Sequence, residues 1–201
     1  MALRPHYPVR SARLALRPLG PDDIDALVAY RSQPDVCRFV PFEPMDEKVI
    51  AERLAGVWSR TTLDDEDQAL TLGVELLDGG PLVGDVLLAW HSRLHRSGEI
   101  GYVFHPAFTG HGYATEAVGA LLHLAFDELG LHRVTARVDA RNLASARLAA
   151  RLGMRQEAHL VENEWFKGGW SDEFDFALLE DEWSTAPRAT TERRQSASGL
   201  Q

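Results

Sequence analysis

The chain has 201 residues, 45% of them hydrophobic, and a formal net charge of −9. This acidic balance argues against a general nucleic-acid binder, which displays basic patches, and no run of about 18 apolar residues is present to span a bilayer. Cys37 is the single cysteine, so a disulfide framework and a cysteine metal cluster are both excluded.

A chain of this length is expected to form one domain with a substantial core. Its opening "MALRPHYPVRSARLALRPLG" is broken by arginine and proline and lacks the apolar centre of a signal peptide, so a cytoplasmic protein is expected. "ARLALRPL" alternates as a first strand, with Leu14 and Leu16 on one face and Arg13, Ala15 and Arg17 on the other. In "GPDDIDALVAYRSQ", Pro21 suits a first helical turn and Asp22 and Asp23 suit its positive end. Ile24, Leu27, Val28 and Arg31 follow at helical spacing. "MDEKVIAERLAGVWSRTT" reads as a second helix with Val49, Leu54 and Val57 on its apolar face.

"LTLGVELL" and "LVGDVLLAWHS" are two strands joined by "DGGP", a hairpin signal, and "GEIGYVFH" is a further strand. The glycine stretch "FHPAFTGHGYATEA" leads into a helix with Val118, Leu121, Leu122, Ala125, Phe126 and Leu129 at helical spacing, capped at Gly130. "HRVTARVDA" is a strand and "NLASARLAARLG" a short helix ending at Gly153. "MRQEAHLVENEWF" and "WSDEFDFALLEDEW" form a final strand pair. Mixed strands, helices and hairpins indicate an α+β fold. The boundaries expected are an N-terminal extension at 1–10, one domain at 11–185, and a disordered tail at 186–201, where polar residues lack periodicity.

Glycines between a strand and a helix suit an anion site, because a helix start carries unpaired N–H groups and partial positive charge. Gly110 and Gly112 match the first glycines of a dinucleotide fingerprint, but Thr115 occupies the third position and no "GK[ST]" follows. "EIGYVFHPAFTGHGYATEA" instead resembles the acyl-CoA-binding motif of the GNAT acetyltransferase superfamily, with Thr109 where Gln or Arg is usual. The resemblance continues through "RLALRPLGPDDIDAL", "DARNLASARLAARLGM" and "ENEWFKGGWSDEFDFALLEDEW", and is nearest to the Rim-type ribosomal-protein N-terminal acetyltransferases.

That resemblance implies a mixed central sheet with helices on both sides and acetyl-CoA as cosubstrate. It implies that the backbone of Gly110, His111, Gly112, Tyr113, Ala114 and Thr115 cradles the CoA pyrophosphate. It further implies that "GYVFH" splays from the next strand, so that pantetheine pairs with backbone near Val103 and Phe104. Tyr102 and Phe104 suit the core equally well.

Acyl transfer needs a neutral amine, and a lysine at pKa ~10.4 costs about 4.6 kcal/mol to deprotonate at neutral pH, against about 1.4 for an α-amine near ~8. Glu99, opening the strand that enters the loop, is the candidate base or water-positioning residue. Glu116 fits a helix-entry or paired carboxylate better. The position four residues after Ser145, where many relatives carry a proton-donating tyrosine, is Ala149. The Rim-type pattern implicates Ser145 as donor to the thiolate and Asn142 as a pantetheine contact, although Asn and Ser are also common helix caps. His159, Trp165 and Trp170 suit the acceptor border or the core. No metal-ligand spacing is present. The function expected is acetyl transfer to a primary amine, foremost a protein or peptide N-terminus, by direct attack in a ternary complex. The alternatives are a small-molecule amine or a non-catalytic CoA-binding domain. No nucleic acid or membrane partner is expected, and the chain is expected to be a monomer or homodimer.

Overall fold

The computed structural model describes residues 1–77 and 79–185; the tail read at 186–201 lies outside the described residues. Among the described residues, eight strands form one sheet. In chain order they are β1 (Val9–Arg10), β2 (Leu14–Pro18), β3 (Gln68–Leu76), β4 (Leu82–Ser92), β5 (Ser97–Phe104), β6 (Arg133–Asp139), β7 (Arg155–Phe166) and β8 (Gly169–Leu179). Their spatial order is β1-β2-β3-β4-β5-β6-β8-β7. Every neighbouring pair is antiparallel except β5 and β6. A parallel pair needs a long crossover, here built around α4 (Tyr113–His123).

Helices α1 (Ile24–Arg31), α2 (Pro34–Cys37) and α3 (Glu47–Ala55) precede the sheet's centre, and α5 (Leu143–Arg151) and α6 (Glu180–Thr185) follow it. Two apolar clusters divide the sheet's faces. Ile100, Tyr102 and Phe104 of β5 pack with Ala117, Val118, Leu121 and Leu122 of α4 and Leu148 and Ala149 of α5. Val103, pointing the other way as strand alternation requires, packs with Leu27 and Tyr30 of α1, Ile50 and Leu54 of α3, and Trp58. The α+β architecture with a mixed sheet and helices on both sides is the one expected.

The β5–β6 pairing is short. It covers Ser97↔Arg133, Gly98↔Val134 and Glu99↔Thr135 only. Beyond Glu99, β5 stays with β4 as far as Phe104↔Gly84, and β6 stays with β8 as far as Asp139↔Glu173. The sheet therefore opens into a V at its centre, and among the described residues no strand pairs with β5 from Ile100 onward on the β6 side.

Some elements differ from the sequence reading. Val49 and Val57 are exposed, at 36% and 65%, and the buried face of α3 is Ile50 and Leu54. The helix stops at Gly56, so Val57 lies outside its periodicity. Its start is set by Asp46, whose carboxylate accepts from the Val49 N–H at 2.9 Å. "EDEW" is helical rather than strand, because Glu182 turns back to accept from the Leu179 N–H at 2.8 Å and ends β8. Ala15 is buried like Leu14 and Leu16, since β2 is covered on both faces. Residues 1–10 pack onto the fold through Leu3, which bridges Leu63, and through β1. After α4, a wider turn at Leu124–Glu128 precedes Gly130, whose φ of +73° ends the helix where the cap was read.

Candidate active site

The glycine stretch takes the shape its composition implies. His105 Nδ1 accepts from the Ala107 N–H at 3.0 Å and starts a tight turn at Pro106–Phe108. Gly110 and Gly112 then adopt φ of +82° and +79°, which other residues rarely tolerate. Gly112 is the N-cap of α4, and the Glu116 N–H to Gly112 C=O bond at 3.1 Å is the first i→i−4 bond of that helix. The N–H groups of Tyr113, Ala114 and Thr115 precede it and belong to the set that a helix start leaves without an intrahelical acceptor.

Arg13 and Glu116 brace this loop. The Glu116 carboxylate accepts from Ser11 Oγ at 2.8 Å and from both the backbone N–H and Nε of Arg13 at 2.7 Å. Burial pushes its pKa up, but these hydrogen bonds and the Arg13 charge win and hold it below the ordinary value. Arg13 also donates to the His111 carbonyl at 2.9 Å and lies 4.8 Å from the Tyr113 ring centre. Glu116 is thus the paired helix-entry carboxylate that its position suggested.

The V between β5 and β6 opens into a cavity of about 390 Å³. Glu99, Val103, Asn142 and Ser145 all line it, although they are dispersed in the sequence. Phe104 and residues 110–115 are not part of that lining. Glu99 lies 3.4 Å from Arg137 Nε and 3.9 Å from His91 Nε2. It shares its side of the strand with Val103, whereas Tyr102 points toward α4 and α5.

Ser145 sits in the first turn of α5. Its N–H is capped by Asn142 Oδ1 at 3.1 Å, and its Oγ is 2.6 Å from the Tyr102 hydroxyl. The Asn142 oxygen is therefore committed to the helix, and its amide nitrogen donates to no described residue. Tyr102 was not singled out for chemistry from sequence, since its partner is 43 residues away. Burial raises its phenol pKa, outweighing the hydrogen bond to Ser145, so the phenol is protonated at neutral pH.

A second cluster on the lining was also missed. Asp85 and Arg31 are 2% and 4% exposed and form a buried ion pair through Arg31 Nη2 and Nε, the latter at 3.0 Å. Tyr30 donates to the same carboxylate. The Arg31 guanidinium lies 4.7 Å from the Trp58 ring centre and 4.8 Å from that of Phe42. The available signals were an aspartate inside the apolar run "LVGDVLLAW" and an arginine at helical spacing with Leu27 and Val28.

Glu164, Asp172 and Glu173 add negative charge to the lining. Burial raises the Glu173 carboxyl pKa; Arg137 opposes this, and the nearby carboxylates Asp175, Glu164 and Glu99 reinforce it. Trp165 and Trp170 are instead exposed, at 61% and 57%, and pair edge to face at 5.5 Å across the β7–β8 hairpin. His159 binds Asp172 Oδ2 at 3.0 Å. None of these three lines the cavity. Among the described residues no group of three or more His, Cys, Asp or Glu side chains is placed to hold a metal ion, and no helix is long and apolar enough to cross a membrane.

A sheet split beside a helix-starting glycine loop is the architecture of acetyl-CoA-dependent N-acetyltransferases, and the comparisons agree. The acetyltransferase (GNAT) domain family matches residues 13–155, and the chain belongs to that family. It is an N-acetyltransferase, and acetyl-CoA is its cosubstrate. The uncharacterized N-acetyltransferase YnaD of Bacillus subtilis (strain 168) is 31% identical over 184 residues, covering 88% of this chain and 99% of the relative. The putative ribosomal N-acetyltransferase YdaF of the same organism is 28% identical, covering 85% and 93%. The solved spermidine N-acetyltransferase from Vibrio cholerae, in complex with CoA and spermine, superposes with a TM-score of 0.74 at 23% identity, covering 87% and 99%.

Proposed function

We infer that the chain acetylates a primary amine, foremost the α-amine of a protein or peptide N-terminus, by direct attack within a ternary complex. The observation that carries this reading is the convergence of Glu99 and Ser145 on one cavity from opposite faces of the split sheet. An acceptor entering from the side of α1 and α3 meets Glu99. A donor entering from the side of α4 and α5 meets Ser145.

The residues present fit a CoA. Left-handed Gly110 and Gly112 and the N–H groups in the first turn of α4, which lack an intrahelical acceptor, suit a pyrophosphate. An added Cβ at Gly110 would meet nothing within 4 Å, which leaves that backbone open to close approach. The unpaired β5 edge at Val103 and Phe104 suits the amides of the pantetheine arm. His111 and Tyr113 contribute through their main chain, as do Ala114 and Thr115. The bound cosubstrate supplies an acetyl group activated as a thioester.

Glu99 then takes the proton that the acceptor nitrogen loses, directly or through one water. Ser145 Oγ–H gives a proton or hydrogen bond to the departing sulfur. Asn142 holds the first turn of α5 and offers its amide nitrogen to the donor. An α-amine suits a carboxylate base because it is far less basic than lysine. The relationship to the putative ribosomal N-acetyltransferase supports an N-terminal acceptor of the Rim type. A small cationic amine is a second reading, favoured by the acidic lining of Glu164, Asp172 and Glu173.

The test is an acceptor panel of N-terminal peptides, polyamines and amino sugars, with products identified by mass. Acetylated peptide α-amine is expected. Transfer to polyamines alone would replace the first reading with the second.

A further inference from the structure

Ser145 is a weak acid by itself, and the group set behind it decides whether its proton faces the cavity. A serine hydroxyl has one proton to donate and two lone pairs with which to accept. If its proton is spent on Tyr102, nothing remains for the sulfur. If Tyr102 donates instead, the serine proton is free.

The chemistry favours the second polarity. A phenol, with an ordinary pKa near ~10, is a far better donor than an aliphatic alcohol. Burial keeps Tyr102 protonated at working pH. Both partners also sit on rigid elements, which a proton path requires. Tyr102 is fixed in β5 opposite Val86 of β4, and its ring packs against the core with Phe104 at 6.5 Å. Ser145 is fixed by the Asn142 cap. The two hydroxyls meet at 2.6 Å on the lining of the cavity.

We propose that Tyr102 is a positioning residue for acetyl transfer, donating to Ser145 Oγ so that the serine proton points at the departing sulfur. This rests on the reading of Ser145 as proton donor. As the nitrogen–carbon bond forms and the carbon–sulfur bond breaks, the electron pair stays on sulfur, which is protonated from Ser145 Oγ. Oγ is reprotonated from the Tyr102 hydroxyl. The phenol is restored by water, and Glu99 takes the proton that the acceptor nitrogen releases. Two hydroxyls linked in this way act as one unit, and their mutational effects are strongly non-additive.

The experiment is a double-mutant cycle of Tyr102→Phe and Ser145→Ala, measuring kcat, the KM of both substrates, acetyl-CoA affinity and thermal stability. Phenylalanine keeps the ring in the core and removes only the hydroxyl. Tyr102→Phe should lower kcat about 10- to 100-fold, the worth of a hydrogen bond to developing charge, with KM and affinity unchanged. In the Ser145→Ala background the same substitution should change kcat by less than about twofold. An equal loss in both backgrounds would overturn the proposal, because Tyr102 would then act without Ser145. A silent Tyr102→Phe beside an impaired Ser145→Ala would overturn the proposal and leave the Ser145 reading intact. A silent Ser145→Ala would remove that reading and the proposal with it.

Discussion

Replacing Gly112 by alanine tests the cofactor loop with a cost that can be worked out beforehand. Gly112 has φ of +79°, and a Cβ built there meets only Arg13 Nη2, at an ordinary 3.5 Å. Steric crowding within the protein is therefore absent, and the penalty is that of forcing an L-residue into the left-handed region, about 1–2 kcal/mol. If the loop keeps its shape, that energy comes from global stability. At about 2–4 °C per kcal/mol for a chain of this size, the melting point should fall by roughly 2–8 °C. If the loop relaxes instead, the strain returns when the pyrophosphate binds, and acetyl-CoA affinity should fall roughly 5- to 30-fold. Calorimetry with acetyl-CoA and thermal unfolding separate the two. Gly119→Ala is the control. That glycine lies inside α4 at ordinary φ with nothing within 4 Å of its added Cβ, so alanine should raise stability by about 0.5–1 kcal/mol and leave affinity alone. A Gly112→Ala protein with unchanged affinity and unchanged melting point would show that the left-handed loop carries no such strain.

Other consequences concern the cavity walls. Asp85→Ala leaves Arg31 buried without its counterion, a change worth about 3–5 kcal/mol, so thermal unfolding should drop by roughly 6–20 °C; the exposed Arg4–Asp64 pair should be nearly silent to the same truncation. Glu99→Gln should reduce turnover by about 10²–10⁴-fold at low pH, where the acceptor is protonated, and by less as pH rises. An equal loss at every pH would show that Glu99 is not the base. Asn142→Ala should cost about 1 kcal/mol through the lost cap. Asn142→Asp should restore that stability but not acetyl-CoA affinity, because it keeps the accepting oxygen and loses the amide nitrogen. Glu157 is held down to about 2 by the hydrogen bond from Arg133 against an opposing burial effect, with Arg155 assisting. Its contribution is present above the ordinary carboxylate range and is lost as pH falls from about 4.5 toward about 2. Glu157→Gln should therefore flatten acid unfolding in that window, as followed by circular dichroism.

What the sequence made legible was whatever depends on local periodicity and turn chemistry. The antiparallel β3–β4 pair, the capped helix ending at Gly130 and the strand–glycine–helix unit could all be read from neighbours in the chain. Arrangements created by distant contacts could not. The Tyr102–Ser145 contact and the Arg31–Asp85 pair join residues 43 and 54 positions apart, and nothing near either residue announces its partner. Boundaries failed where a side chain overrode the pattern, as when Glu182 ends β8 or Gly56 stops α3 before Val57. The loss of β5–β6 pairing after Glu99 was expected through family resemblance, whereas its physical basis is that each strand follows its antiparallel neighbour.

In the mechanism we propose, the split sheet holds a donor on one face and an amine on the other, with Ser145 and Glu99 serving one transfer. The most direct measurement is single-turnover acetyl transfer to an N-terminal peptide, following CoA thiol release and acetylated product together in wild type, Ser145→Ala and Glu99→Gln. Equimolar CoA and acetyl-peptide are expected in the wild type, with slower transfer but preserved acetyl-CoA binding in both variants. Thiol release without acetylated amine, or variants as fast as the wild type, would contradict it.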